Sequence, residues 1–464
     1  MNLFDVLVAA ADRHGAQPAL TDLASDVTLT YADVLGTAEG VAHMLRQQGV
    51  EPGQRVALLA GNGLAHVPTA FGIVASGACV VPIAPTLRAA EVDAVLAGTD
   101  VNAVVRLAEG AAVLEWIDRE RRAPAGFEAL NPAFVRFTSG TTADQKGVIL
   151  EHDEVAARVA SADAVLRLDR TDRVLWTLPL AYHFAATIVS YVRAGAHVLL
   201  CQDTLPGPLV DACARHRATL LYGSPIQFER MAHAPHRPRL ADVRLALSTA
   251  MALPQEVADR FEAAFAIPLG QAYGIIEAGL PCINTRSDGE SAASVGRPVP
   301  GYDVAVFGDD GSALAAGAIG EVGVRGPGLF SGYYQPWRPR TTLLRDGWFM
   351  TGDLGGLDSA RCLTLRGRTK STIIVAGMKV FPEEVEAVLN RQPGVSASRV
   401  VGRAHPRLGE IPCAEIVPQA GVEPDVRGLA AACAEVLSSY KVPIEFRLVS
   451  AIPRTPAGKI RRSH

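Results

Sequence analysis

Short apolar runs recur along the first 250 residues, at 56–60, 79–83, 174–178, 197–200 and 243–247, and stretches of helical character separate them. Such runs are apolar on both faces. A strand of that kind is stable only with helices covering both sides, so the pattern predicts α/β layers built on parallel sheets. The stretch from about 295 to 365 reads differently. It is rich in Gly and Pro, with short alternating strands such as Gly320-Glu321-Val322-Gly323-Val324-Arg325-Gly326, and it predicts a small antiparallel β unit. At 464 residues the chain is too long for one ordinary core. A boundary is expected near 366–370, giving a large N-terminal domain, 1–366, and a small α+β domain, 367–464. In the latter, Pro382 followed by Glu383, Glu384 and Glu386 reads as a helix start with exposed acids.

Composition narrows the functional classes. The net charge is -4, so no domain-scale basic surface is expected and nucleic acid is not the expected partner. The seven Cys are dispersed without a C-x-x-C pair, which suits a reducing cytoplasm. No basic segment followed by an apolar run opens the chain, and no run of 18 apolar residues predicts a membrane span. Of the 44 basic residues only Lys146, Lys370, Lys379, Lys441 and Lys459 are lysines. A lysine retained in so Arg-rich a chain marks positions where a compact point charge cannot be exchanged for a planar fork.

Three of those lysines fall in polar motifs. Phe137-Thr138-Ser139-Gly140-Thr141-Thr142-Ala143-Asp144-Gln145-Lys146-Gly147 follows a β-like run. Amides, hydroxyls and one cation clustered there can wrap a polyphosphate, whereas an isolated Ser/Thr/Gly loop is more often a solvated turn. It is not a Walker loop, because Gln145 and Gly147 stand where that spacing needs Gly and Ser/Thr. Gly61-Asn62-Gly63-Leu64-Ala65-His66 begins like a dinucleotide loop, but His66 replaces the third Gly, so it reads as an ordinary strand-to-helix turn.

The 137–147 loop resembles the phosphate loop of the acyl-adenylate-forming superfamily, which includes acyl-CoA and aryl-CoA synthetases, peptide-synthetase adenylation domains and beetle luciferases. The resemblance spans nearly the whole chain. Gln271-Ala272-Tyr273-Gly274-Ile275-Ile276-Glu277 resembles the Y-G-x-T-E motif, with Ile276 in place of Thr. It implies Tyr273 and Gly274 at adenine and Glu277 holding Mg²⁺ on ATP. Gly347-Trp348-Phe349-Met350-Thr351-Gly352-Asp353 resembles G-W-x-x-T-G-D and implies that Asp353 binds the ribose hydroxyls. Arg366-Gly367-Arg368-Thr369-Lys370 resembles the hinge motif: Arg368 would contact ribose or phosphate and Lys370 would be the pivot. Pro453-Arg454-Thr455-Pro456-Ala457-Gly458-Lys459 resembles the terminal motif whose Lys bridges the carboxylate and the α-phosphate.

The resemblance also implies an acyl pocket from three segments: Tyr182 and His183; Tyr222, Gly223 and Ser224, opening a helix with Phe228 and Met231; and Met251, preceded by Thr249 and Ala250, which are implied to bind the nucleotide and replace two glycines of relatives. Ile275 completes it. No Asp stands in the first segment to pair an α-ammonium, so the implied substrate is a fatty or aryl acid and not an amino acid. The implied activity is ATP- and Mg²⁺-dependent adenylation of a carboxylic acid, catalysed by Lys459, Glu277, Lys146 and Arg368. Transfer to coenzyme A or to the phosphopantetheine of an acyl carrier protein would follow. The alternatives are a non-thiol acceptor, such as an amine, and a degenerate nucleotide-binding homologue.

Overall fold

The computed structural model describes residues 2–462 apart from 109, 138–145, 288, 377 and 455–459, with the backbone alone at Lys370. Two compact units result. The first takes its described residues from 1–138, 144–303 and 324–349, and the second from 304–323 and 350–464. Residue 366 and Lys370 therefore both lie within the second unit.

Two sheets organise the first unit. One runs in the spatial order Arg297–Pro298, Gly279–Asn284, Leu269–Ile275, Leu245–Ser248, Leu220–Gly223, Arg173–Trp176, His197–Leu200, Pro18–Asp22, Val27–Thr30. Its strands from Leu269–Ile275 to Pro18–Asp22 are parallel, and antiparallel strands close both edges. Val198, Leu199 and Leu200 are all buried, as residues on both faces of a covered strand must be. The cover comes from helices Pro206–Arg215, Pro225–Ala232 and Gln255–Phe265. In the last, Val257, Ala258 and Phe261 form one buried stripe, and Phe261 meets Phe228 edge-on at 5.1 Å. Each such buried ring contributes roughly 2–3 kcal/mol of transfer free energy.

The second sheet runs Arg338–Pro339, Gly332–Tyr333, Gly147–Glu151, Pro132–Phe137, Cys79–Ile83, Arg55–Leu59, Ala103–Ala108, Ala111–Trp116. Pro132–Phe137, Cys79–Ile83, Arg55–Leu59 and Ala103–Ala108 are parallel. Pro132–Phe137 and Gly147–Glu151 pair antiparallel. The 61–66 turn does lead from strand Arg55–Leu59 into helix His66–Ala75.

In the second unit, Trp348–Leu357 pairs antiparallel with Leu363–Arg368 and lies beside Gly320–Arg325. The small β unit is thus where the Gly/Pro-rich alternation places it. Beyond it, Met378–Val380, Ile373–Val375, Gly409–Pro418 and Val395–His405 form a sheet, with Glu445–Leu448 parallel to Gly409–Pro418. Helices Pro382–Leu389 and Val426–Val436 cover this sheet through Val385, Leu389, Leu429 and Cys433. The fold class is the layered α/β arrangement with a small α+β C-terminal part that the patterning predicts.

Candidate active site

Parallel strands Arg173–Trp176, Leu220–Gly223, Leu245–Ser248 and Leu269–Ile275 are in register, with Trp176 beside Tyr222, Gly223 beside Ser248 and Ser248 beside Gln271. Their carboxyl ends therefore lie along one edge, where open α/β sheets bind ligands. Each acyl-pocket segment leaves from one of these ends. Trp176 and Tyr222 stack with ring centroids 5.8 Å apart and planes 7° apart. His183 meets Trp176 edge-on at 5.5 Å and Tyr222 at 6.3 Å. Burial pushes the Tyr222 hydroxyl up to about 12, against a hydrogen bond with Thr249 that lowers it. Tyr182 points to a different neighbour: the Arg136 guanidinium lies 5.4 Å from its ring centre.

Other pocket candidates are occupied by structural duties. Ser224 caps helix Pro225–Ala232, its N–H donating to Gln227 Oε1 at 2.8 Å. Phe228 and Met231, on the helix that this segment opens, join the core beneath the sheet with Leu209, Val210 and Phe261. They sit at the fourth and seventh positions of their helix, a phase turned toward the sheet core. Thr249 is tied down twice, its N–H to Gly223 O at 2.9 Å and its hydroxyl to Ala272 O at 3.3 Å. Ala250 has φ 70°, a backbone conformation suited to glycine. Met251 and Ile275 are half-buried, Gly274 is exposed and Tyr273 is buried.

Glu277 joins two of the sequence-predicted residues to new neighbours. Its carboxylate accepts from Tyr333 Oη at 3.0 Å, and Lys146 Nζ stands 4.6 Å from the centre of the same ring. Burial first, and then the Glu277 charge, push the Tyr333 hydroxyl upward, so it stays a proton donor. Arg158 braces the turn behind: Nη1 donates to Ile276 O at 2.9 Å and Nη2 to Gly328 O. Phe330 N–H donates to Glu277 O at 2.8 Å. Tyr333, Arg136 and Arg158 were not legible as site residues. Tyr333 reaches the site only through its pairing opposite Val148. Arg136 had one local signal, a charge at an inward position of an apolar strand.

The second unit brings Asp353 and Arg368 together. They are register partners on adjacent strands, and Arg368 Nε donates to Asp353 Oδ1 at 2.8 Å. The Thr-Gly-Asp stretch of strand Trp348–Leu357 is held by three hydrogen bonds. Thr351 Oγ1 donates to Val322 O at 2.8 Å and accepts from Asp353 N–H at 3.1 Å. Gly352 (φ 73°) donates to Glu321 Oε1 at 3.1 Å. The acids of helix Pro382–Leu389 correct the sequence reading. Glu386 is buried, accepts from Val400 N–H and pairs with Arg462; Glu383 pairs with Arg462 at 3.0 Å and Glu384 with Lys441 at 2.8 Å. Lys379 pairs with Asp309 at 2.8 Å. Thr138, Ser139, Gly140, Thr141, Thr142 and Lys459 lie outside the described residues, as does the side chain of Lys370.

No helix of the described residues is long and apolar enough to cross a membrane. Nor, among them, do three or more His, Cys, Asp or Glu side chains gather as a metal site. One carboxylate, Glu277, beside a lysine suits Mg²⁺ that arrives with a triphosphate and keeps phosphate oxygens and water as its other ligands. A polar concavity of about 570 Å³ lined by Arg13, His14, Asp163, Arg170 and Arg193 contains none of the motif residues.

Comparison with known proteins agrees with this geometry. Residues 7–334 match the family described as AMP-binding enzyme, and residues 384–459 match the AMP-binding enzyme C-terminal domain. The sulfoacetate–CoA ligase of Cupriavidus necator is 30% identical, covering 99% of this chain and 97% of that protein. A feruloyl-CoA synthase of Amycolatopsis sp. is 31% identical, covering 97% and 94%. The structure of the amide bond synthetase McbA from Marinactinospora thermotolerans superposes with a TM-score of 0.86 at 27% identity, covering 99% of this chain and 98% of that one.

Proposed function

The chain belongs to the AMP-binding enzyme family, as an AMP-forming ligase of the acyl-CoA synthetase type, and from that premise we propose the following reaction. A carboxylate oxygen of a small organic acid attacks the α-phosphorus of ATP. The bond to the β-phosphate breaks, and pyrophosphate and an acyl-adenylate form. A thiol then attacks the acyl carbon and AMP leaves. The observation that carries this reading is the Lys146–Tyr333–Glu277 cluster. It sets one cation and one carboxylate, supplied by segments 131 positions apart in sequence, on the two sides of one tyrosine, with the cation at the end of the 138–146 motif. Charge stabilisation by preorganised groups is the main lever in phosphoryl and adenylyl chemistry.

In this reading the loop Thr138–Lys146 holds the phosphates and Glu277 would hold Mg²⁺, which would supply countercharge for the phosphates there. Asp353 takes the ribose hydroxyls once Arg368 turns from it toward ribose or phosphate. Lys459 bridges the two reacting groups, and the segment 367–464 rotates about Lys370 between the two half-reactions. The acceptor we favour is coenzyme A or a carrier protein's pantetheine, in keeping with the relatives named as CoA ligases. The amide bond synthetase supports a second reading in which an amine takes the acyl group.

A panel of acids, scored by pyrophosphate release with and without coenzyme A or an amine, tests the scheme. At least one acid should drive release, and Lys459→Ala should slow it by about 100-fold or more. Unchanged acid-dependent pyrophosphate exchange in Lys459→Ala would overturn the catalytic assignment. Acyl-amide formation without thioester would move the acceptor to the second reading.

A further inference from the structure

Arg136 has no part in the scheme above. It lies on strand Pro132–Phe137, two residues beyond Phe134, and strand alternation puts both side chains on one face. On that face Phe134 meets Phe184 at 5.6 Å, and the Arg136 guanidinium lies over Tyr182 at 5.4 Å. The opposite face, with Val135 and Phe137, packs into the core of its sheet. Arg136 is thus turned toward the 180–184 segment of the acyl pocket.

Arg136 has no carboxylate of its own among the described residues. Its Nε is shut off from solvent with no hydrogen-bond partner, and among the described residues its guanidinium makes no ion pair. The groups that it senses are the Tyr182 phenol, the Glu277 carboxylate and the Arg158 guanidinium. Glu277 is already engaged by Tyr333, and Arg158 is engaged by two carbonyls. Glu277 is thus the one carboxylate among the groups that Arg136 senses, whereas Arg158 senses Glu154 as well. Burial pushes Arg136 down to about 10, which still leaves it charged at neutral pH. A desolvated cation is costly until an anion pairs with it, and a guanidinium fork matches a carboxylate with two parallel hydrogen bonds. A hydrocarbon tail lying along Tyr182 would shut that cation away with nothing to pair it.

We propose that Arg136 determines acyl specificity by binding a second carboxylate on the substrate, so that the acid adenylated is a short dicarboxylate. The inference rests on the adenylation reading and narrows its substrate class. It excludes a long fatty acid, and it leaves an aryl acid only with a second anionic group.

The test uses the full-length enzyme and acid-dependent pyrophosphate release with matched pairs, succinate against butyrate and isophthalate against benzoate. In at least one pair the dicarboxylate should have the higher kcat/KM by about tenfold or more, as expected where a buried polar group would otherwise be left unpaired. Arg136→Met should collapse that ratio, mainly through KM for the diacid, and Arg136→Lys should restore part of it. Equal or better use of the monocarboxylates by the unaltered enzyme overturns the proposal and needs no variant. A preference that survives in Arg136→Met overturns it too, because the second carboxylate would then be held elsewhere. If no acid of any kind drives pyrophosphate release, the adenylation reading itself fails, and this inference falls with it.

Discussion

Ala250 holds a backbone conformation that L-residues avoid, with φ 70°. A side chain in the left-handed region costs roughly 1–2 kcal/mol, while glycine's extra freedom in the unfolded chain offsets about 0.5–1 kcal/mol of what its substitution would relieve. Ala250→Gly should therefore keep stability level or raise it by up to about 1 kcal/mol, read from the urea midpoint. A clear loss would mean that the methyl group packs against something the backbone argument ignores. Tyr333→Phe probes a different residue-scale link. It removes the donor 3.0 Å from Glu277 while leaving a ring for Lys146, so the loss in folding stability should be small, about 1 kcal/mol. The Mg²⁺ concentration needed for half-maximal pyrophosphate release should shift several-fold if Glu277 is the metal ligand. Glu277 and Lys146 were legible because each stands in a polar motif of fixed spacing. Tyr333 was not, since strand pairing alone brings it there, and neighbouring residues in sequence carry no trace of that pairing.

The helix Pro382–Leu389 shows what an element adds to its residues. As a string, Pro-Glu-Glu-Val-Glu is a solvated helix start. As a helix, Pro382, Val385, Glu386 and Leu389 share the buried face. Glu386 is therefore on the core phase, a fact that the spacing contains but that a charge-based reading passes over. Its partner Arg462 comes from 76 positions away, which no local pattern could supply. The pair clasps Arg462 to this helix, and an antiparallel Arg454–Ile460 bridge stands just before it in sequence. Removing one partner of a buried pair leaves the other uncompensated. Glu386→Gln should therefore destabilise the second unit by roughly 2–4 kcal/mol, the lower part of that range reflecting the second acid, Glu383, that remains near Arg462. Because Lys459 stands three positions before Arg462, acid-dependent pyrophosphate release should fall more than ATP binding does. The double variant Glu386→Leu with Arg462→Met should recover much of the stability while leaving turnover low. Melting and turnover of Glu386→Gln indistinguishable from the unaltered protein would sink the clasp.

At the scale of the molecule, the parallel sheets were legible because several central strands, such as Cys79–Ile83 and His197–Leu200, read as apolar runs, and only helices can cover such strands. What stayed hidden were polar groups buried far from any motif, and they give the first unit a pH signature. His66 and His152 are buried, and burial holds both down to about 4 against an ordinary value of 6.5. His66 keeps a hydrogen bond to Gly61 O at 3.1 Å, and His152 Nδ1 accepts from Leu3 N–H at 3.0 Å, a role that requires the neutral ring. Between pH 6.5 and 4 the unfolded chain binds protons at these positions that the folded chain refuses. Stability is then complete above pH 6.5 and falls as the pH drops toward 4, with a slope of up to about 1.4 kcal/mol per pH unit for each histidine. Urea midpoints followed from neutral pH downward should show the decline begin near the unfolded histidine value and not at carboxylate pH. His152→Gln can still accept from Leu3 N–H but cannot take up a proton, so it should flatten the decline by one histidine's share. A midpoint that holds steady to pH 5, or a slope unaltered in His152→Gln, would show that these rings are not the groups that titrate, and that burial of neutral imidazole does not set the acid limit of this fold.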